Sequence, residues 1–373
     1  MANAQYRSDF LVNKKNLTQT EITDSNLDIE ALCPGQLLLK VDCFSFTANN
    51  ITYAALGEVM GYWRYFPTSI NMGIIPVWGF ADVLVSQCDD IKVGERLYGY
   101  YPMASHVIVE PKHISMGGFV DGAAHRTKLP AIYNQYARSS HDPMYTQESE
   151  ALQMLLRPLF ATSFLLDDFF TSNQFFNASN ILLTSASSKT ALGMAFLLKN
   201  KRQQRQQKYN IIGLTSAANV AFVESLGCYD RVNSYQELHD LENLPASAIV
   251  DFAGNSELLL QLHTQLAKTL QYSCQVGASH WQQAAGAMKK LPGPQPKMFF
   301  APTQGQKCVE EWGQKVFQER LAKEWLKFTE FVQGWMQVEH MRGAKAVQQA
   351  YGEVLAGRMN PQSGYIFSLW NEE

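Results

Sequence analysis

The sequence predicts an α/β protein of two domains, a small β-barrel or sandwich followed by a doubly wound parallel sheet. Three observations carry this. Residues 180–214 read as strand, tight turn, helix and strand. Strand and helix patterns alternate from there to about residue 300. Before residue 117 the chain instead strings together short strands punctuated by Gly and Pro.

Composition sets the outer limits. The 373 residues suit two domains, and 46% hydrophobic and 12% aromatic content suffices for well-formed cores. A net charge of −3 and a pI near 6.3 leave no basic excess, so nucleic acid is not an expected partner. The six cysteines (Cys33, Cys43, Cys88, Cys228, Cys274 and Cys308) form no C-x-x-C pair. A cysteine-rich zinc site is therefore not expected, and dispersed thiols suit a reducing, cytoplasmic location. The first residues carry no apolar signal region, and no run approaches the roughly 20 apolar residues of a membrane span.

In the first domain, residues 22–29 fit a helix or an edge hairpin equally. After the Pro34-Gly35 turn, residues 36–46 alternate in part and predict a strand, which Asn49 and Asn50 break. Residues 57–67 are rich in aromatics: Tyr62, Trp63, Tyr65 and Phe66. Strand patterns recur at 74–86, 91–100 and 106–109, and residues 117–145 read as an irregular insertion.

Composition shifts near residue 150. Leu152, Leu155, Leu156, Leu159 and Phe160 recur at helical spacing, and Pro158 predicts a kink or break. Ile181 to Thr184 then form a strand-length apolar run, followed by the small polar turn Ser185, Ala186, Ser187, Ser188, Lys189 and Thr190. The helix that follows starts at the carboxyl edge of the sheet, where unpaired N–H groups favour an anion such as a nucleotide phosphate. Only Gly193 survives of a G-x-G-x-x-G pattern. Small residues still allow backbone to approach phosphate, and Lys189 adds a point charge. Residues 218–226 predict a helix closed by Gly227, 231–235 a short strand or turn, 248–254 a buried strand, 256–270 an amphipathic helix and 272–277 a strand. Residues 310–338 predict one helix, 344–355 another, and 364–369 a closing strand. The basic tract 199–208 reads as a solvated helix end.

Taken together, these segments resemble the medium-chain dehydrogenase/reductase superfamily, in its zinc-independent branch with quinone oxidoreductases and enoyl reductases. Val93-Gly94-Glu95-Arg96-Leu97-Tyr98-Gly99 resembles V-G-D-R-V-x-G. Ile181 to Gly193 resembles the nucleotide turn V-L-V-x-A-A-x-G-x-V-G with its glycines altered. Ser225-Leu226-Gly227-Cys228-Tyr229-Asp230-Arg231-Val232, Val250-Asp251-Phe252-Ala253-Gly254, and Gly357 with Pro361 and the closing strand resemble three further segments in the same order. More narrowly, Thr47 to Tyr53, Gly61-Tyr62-Trp63 and Pro76 to Ala81 resemble an uncharacterised bacterial subgroup, a domain of unknown function. The resemblance implies a GroES-like catalytic domain over 1–150, completed by 330–373, and a Rossmann domain over 151–329, with the cofactor in the cleft between them. It also implies a homodimer through an edge strand near residues 298–301.

The zinc-binding Cys and Gly-His-Glu of the wider superfamily would fall near residues 45–50 and 78–80, where neither Cys nor His and Glu stand. No metal is therefore expected, and carbonyl polarisation falls to hydrogen-bond donors. The resemblance assigns NADPH to Ser185, Ser187, Ser188, Lys189 and Thr190, with Thr215, Ser216 and Asn219. Ala253, Gly254 and Gly277 complete the set. NADPH is preferred to NADH because the second strand ends without Asp or Glu. Asn50 and Tyr53 are the expected catalytic groups. Asn49, Tyr62, Trp63 and Tyr65 are expected around a small-molecule quinone, enone or carbonyl substrate. The altered glycines keep open a non-catalytic nucleotide-binding or scaffold protein on the same fold. A phosphate-handling enzyme built on Ser187, Ser188, Lys189 and Thr190 is the third alternative.

Overall fold

The computed structural model describes residues 6–205, 208–276, 290–358 and 360–371. The chain divides into two units, Met1–Leu155 with Thr329–Glu373, and Leu156–Phe328.

In the first unit the strand Leu37–Phe46 organises the sheet. It pairs antiparallel with Pro76–Ser86, with His106–Val109 and with the C-terminal strand Ser363–Ser368. The sheet continues from Pro76–Ser86 through Arg96–Pro102, Gln135–Arg138 and Gly118–Asp121 to Pro111–Ser115. Gln337–Arg342 flanks the other edge, parallel to Ser363–Ser368. A smaller sheet joins Thr20–Asn26, Tyr6–Asn13 and Met72–Gly73. Residues 22–29 thus contribute a strand, not a helix. The core is aromatic: Phe46 stacks on Phe367 at 5.2 Å and meets Tyr351 at 5.4 Å, which in turn meets Phe10 at 5.3 Å. Burying each such ring stabilises the unit by about 1.5–3 kcal/mol.

One charged knot ties this unit together. The Arg96 guanidinium bonds Asp42 at 2.8 Å, Asp82 at 3.1 Å and Glu150 at 2.5 Å. It therefore links two neighbouring strands and the start of the helix Glu150–Ser172 to its own strand.

That helix runs through Pro158 without ending, contrary to the sequence expectation. Proline removes the N–H that would bond the carbonyl of residue 154. Ser45 supplies the replacement, its hydroxyl donating to the Met154 carbonyl at 2.8 Å. A second expectation also fails: 310–338 is not one helix. Gly313, at φ +81°, separates Ala301–Trp312 from Gln314–Gln333. A left-handed residue cannot continue an α-helix, and glycine adopts that conformation without steric cost.

In the second unit, six parallel strands among the described residues form one sheet. Its order is Arg231–Ser234, Asn210–Thr215, Asn180–Leu183, Ser247–Asp251, Leu270–Val276 and Lys297–Phe299. Counted along the chain this is 3-2-1-4-5-6. The order therefore reverses between Asn180–Leu183 and Ser247–Asp251, and a ligand crevice belongs outside their carboxyl ends. The strands at this centre are buried throughout, as expected for a sheet covered on both faces.

The basic tract folds back on its own acids. Lys199 and Arg202 pair with Asp230, and Lys201 and Arg205 pair with Asp167. Among the described residues no helix is long and apolar enough to cross a membrane.

Candidate functional site

The turn after Asn180–Leu183 lies at the order reversal and is tied to both neighbouring strands. Thr184 donates its hydroxyl to Asp251 at 2.7 Å and accepts the amides of Phe252 and Ala253 at 2.9 and 3.1 Å. Asp251 also accepts the amides of Ala253 and Gly254 at 3.1 and 3.3 Å. Of the residues the sequence named in the second loop, Ala253 is thus held directly by the first and Gly254 through Asp251.

Ser185 adopts φ +50°, a conformation that glycine takes freely and serine takes at a cost of about 1–2 kcal/mol. Its amide donates to the Tyr235 hydroxyl at 3.1 Å. Tyr229 donates to the Ala186 carbonyl at 2.9 Å. The Ser187 hydroxyl accepts from the Asn219 amide at 3.1 Å and lies 3.4 Å from the Thr215 hydroxyl. Ser188 caps the helix Lys189–Lys201, its side chain accepting from the Ala191 amide at 3.4 Å. Burial pushes the Lys189 ammonium down to about 8. Thr190 accepts the Ser163 hydroxyl at its carbonyl, 2.7 Å away.

Serines 185, 187 and 188, Lys189, Thr190, Thr215, Ser216 and Asn219 therefore share one corner of the second unit. Gly277 lies outside the described residues. Tyr235 and Tyr229 were not anticipated. Their only signal was position, since each stands within five residues of a strand terminus.

The other named residues belong to the first unit. The segment after Leu37–Phe46 forms the helix Ala48–Ala55. Asn50 starts it: its side-chain oxygen accepts from the Thr47 amide and hydroxyl at 2.9 and 3.1 Å. Its side-chain nitrogen donates to the Pro76 carbonyl at 3.1 Å, and it is only 4% exposed. Asn50 thus ties the helix to its neighbouring strand. The adjacent, exposed Asn49 donates to the hydroxyl of Tyr53, one turn further along, at 2.7 Å.

Tyr53 opens a cluster of rings. It stacks on Tyr62 at 4.3 Å and meets Tyr100 edge-on at 6.5 Å. Tyr133 meets Tyr100 at 4.7 Å, Tyr65 at 5.6 Å and Tyr62 at 6.1 Å. Trp78 packs on Tyr100 at 5.0 Å and stacks on Tyr98 at 5.4 Å. Burial pushes the phenols of Tyr53, Tyr62, Tyr65 and Tyr100 above their ordinary range, so at neutral pH they are hydrogen-bond donors. The hydroxyls of Tyr65 and Tyr100 are buried with no hydrogen-bond partner among the described residues. Trp63 is different. Its indole is wedged against Gly57 and Gly73, where an added Cβ would meet the ring at 2.2 and 2.4 Å, so it fills the core. It also borders an open groove of about 320 Å³ with Lys14, Glu58, Arg64, Pro67, Thr68 and His125, a set that includes none of the tyrosines.

Among the described residues one trio has metal-ligand spacing: Asp42, Cys43 and Glu150, within 4.8 Å of one another. Arg96 already bonds both carboxylates. Burial, reinforced by Asp42, pushes the Cys43 thiol well above its usual range. With both carboxylates already paired to Arg96, a divalent ion there would have to compete with the guanidinium.

The largely antiparallel sheet of the first unit and the 3-2-1-4-5-6 parallel sheet of the second are those of a GroES-like and a Rossmann fold. The chain belongs to the family described as Protein of unknown function (DUF2855), whose model matches residues 44–360. Comparison with curated proteins returns no match. Among solved structures, a putative NADPH:quinone reductase from Mesorhizobium loti aligns with a TM-score of 0.60 at 11% identity, over 99% of this chain and 100% of that one. CurA from Vibrio vulnificus aligns at 0.59 and 12%, over 98% and 99%. TarJ from S. aureus, in complex with NADPH, aligns at 0.56 and 10%, over 98% and 100%. At such identities the likeness is one of fold.

Proposed function

We propose that this protein is an NADPH-dependent, zinc-independent oxidoreductase acting on a small quinone, enone or carbonyl compound. The observation that carries the proposal is the corner of the second unit. Its turn holds a serine in a glycine-like conformation beside hydroxyls, an amide side chain and Lys189, with no acidic residue at the end of Asn210–Thr215. Backbone without bulky side chains suits a pyrophosphate, and an uncharged strand end beside a lysine suits a ribose 2′-phosphate. Proteins of this fold include a putative NADPH:quinone reductase and a chain solved with NADPH, which supports the same reading.

The reading divides the work between the units. Ser185, Ser187, Thr215, Asn219 and Lys189 would hold the dinucleotide, whose reduced nicotinamide supplies a hydrogen with its electron pair. In the first unit Asn49 holds the Tyr53 hydroxyl, and Tyr53 donates a proton to the substrate oxygen as charge develops there. Tyr62 and Trp78 would offer apolar faces, while Tyr65, 1% exposed, packs behind them and does not reach a substrate; Asn50 sets the helix that carries Asn49 and Tyr53. Dispersed free thiols suit a cytoplasmic protein, and a homodimer completes the reading.

A second reading, a nucleotide-binding protein without turnover, is favoured by one contact: the Tyr235 hydroxyl already takes the Ser185 amide. The test is fluorescence titration with NADPH and NADH, followed by turnover assays with quinones, enones and aldehydes. The oxidoreductase reading expects tighter binding of NADPH, turnover, and a loss of about 100-fold in kcat in Tyr53→Phe. Binding without turnover leaves the second reading, and binding of neither nucleotide removes both.

A further inference from the structure

Tyr235 stands one residue past the strand Arg231–Ser234, yet its hydroxyl reaches the turn after Asn180–Leu183, where it accepts the Ser185 amide at 3.1 Å. The strand Asn210–Thr215 lies between those two strands. Two strand spacings come to about 10 Å, and the side chain crosses them over the carboxyl end of the middle strand. Its backbone is fixed at the same place, the Tyr235 amide donating to the Thr215 carbonyl at 2.9 Å. The ring is half-buried against the core cluster that includes Leu214 and Leu238, and Ala253 packs against the same cluster.

The other tyrosine of this corner makes a different kind of contact. Tyr229 is buried, and its hydroxyl donates to the Ala186 carbonyl at 2.9 Å. Its ring fills the space beside Gly213, where an added Cβ would lie 2.9 Å away. Tyr229 therefore belongs to the framework. Tyr235 instead occupies a backbone N–H of the turn, and it covers the strand end at which a dinucleotide of this fold lays its adenosine ribose.

Resting on the nucleotide assignment of the reading above, we propose that Tyr235 is a further residue of the nucleotide site, a gate whose phenol oxygen holds the place of a ligand oxygen on the Ser185 amide. Closed, the ring bars the adenosine end of the crevice. A nucleotide binds when the phenol swings away and the ligand takes over the N–H. The apparent affinity is then the intrinsic affinity reduced by the fraction of chains that are open. One hydrogen bond to a neutral hydroxyl favours the closed state by about tenfold. The reduction is the same for every ligand that enters this end.

Tyr235→Phe in the full chain is the test, because it deletes the oxygen and keeps the ring. Calorimetric titration with adenosine 2′,5′-bisphosphate and with NADPH should show both binding about tenfold tighter than to the wild type, by the same factor. The bisphosphate carries no nicotinamide, so this readout is independent of turnover. Hydrogen exchange supplies a second readout: the Ser185 amide should be protected in the free wild type, exchange faster in free Tyr235→Phe, and regain protection when either ligand binds. Unchanged or weaker binding in Tyr235→Phe, or a Ser185 amide that exchanges alike in both free chains, overturns the gate and leaves the oxidoreductase reading standing. Binding of neither ligand by either chain overturns both.

Discussion

The hydroxyl of Ser45 donates to the carbonyl of Met154 at 2.8 Å, the one carbonyl that Pro158 strips of its helical partner. Two residues 109 positions apart thus repair one gap in a helix. Ser45→Ala should leave a buried acceptor unpaired and cost about 1–3 kcal/mol in urea unfolding. Pro158→Ala returns the missing N–H, so in that background the cost of Ser45→Ala should shrink. Equal costs in both backgrounds would show that the two sites are not coupled.

Lys189 makes a pH prediction. With its ammonium pushed down to about 8 by burial, the free protein holds this charge at pH 7 and sheds it above about 8. NADPH affinity should be level from pH 6 to 7 and decline above 8, because a phosphate favours the protonated amine. Stability should move the other way. The unfolded lysine keeps its proton to its ordinary value of 10.5, so the folded state gains between about 8 and 10.5 as pH rises. Lys189→Met should flatten both curves and weaken NADPH about tenfold at pH 7, or about 1.4 kcal/mol. Parallel fluorescence and thermal titrations read the two arms.

Gly193 offers a test in which the sign itself is informative. Alanine in a helix interior ordinarily gains about 1 kcal/mol over glycine. Here an added Cβ would lie 2.6 Å from the Ser163 hydroxyl and 3.0 Å from its Cβ. Gly193→Ala should therefore lose about 1–3 kcal/mol by overpacking, and Ser163→Gly in the same chain should recover part of it. Urea unfolding of the single and double variants decides.

The fold was legible where apolar runs are short and bounded, as at Ile181 to Thr184 and Ala248 to Asp251. The strand, turn and helix of residues 180–201 could be placed although the early glycines of the pattern are absent, because the elements keep their spacing. Other features depended on partners far along the chain. Pro158 reads as a breaker unless Ser45 is known to lie beneath it. Asn50 reads as a polar group near a substrate, but its oxygen serves Thr47 and its nitrogen Pro76. Trp63 reads as a pocket wall and proves to be a wedge between two glycines. Tyr133 and Tyr235 lie in a 3₁₀ turn and just beyond a strand end, where no periodicity marks them.

The Arg96 knot has one last consequence. Carboxylates from two strands and a helix start converge there on a cation that is covalently part of the chain. A corner held by a bound ion would depend on supply from the cell and could be dismantled by a chelator. Here the counter-charge is delivered by translation itself, in fixed stoichiometry, so EDTA should leave the assembly of this corner untouched.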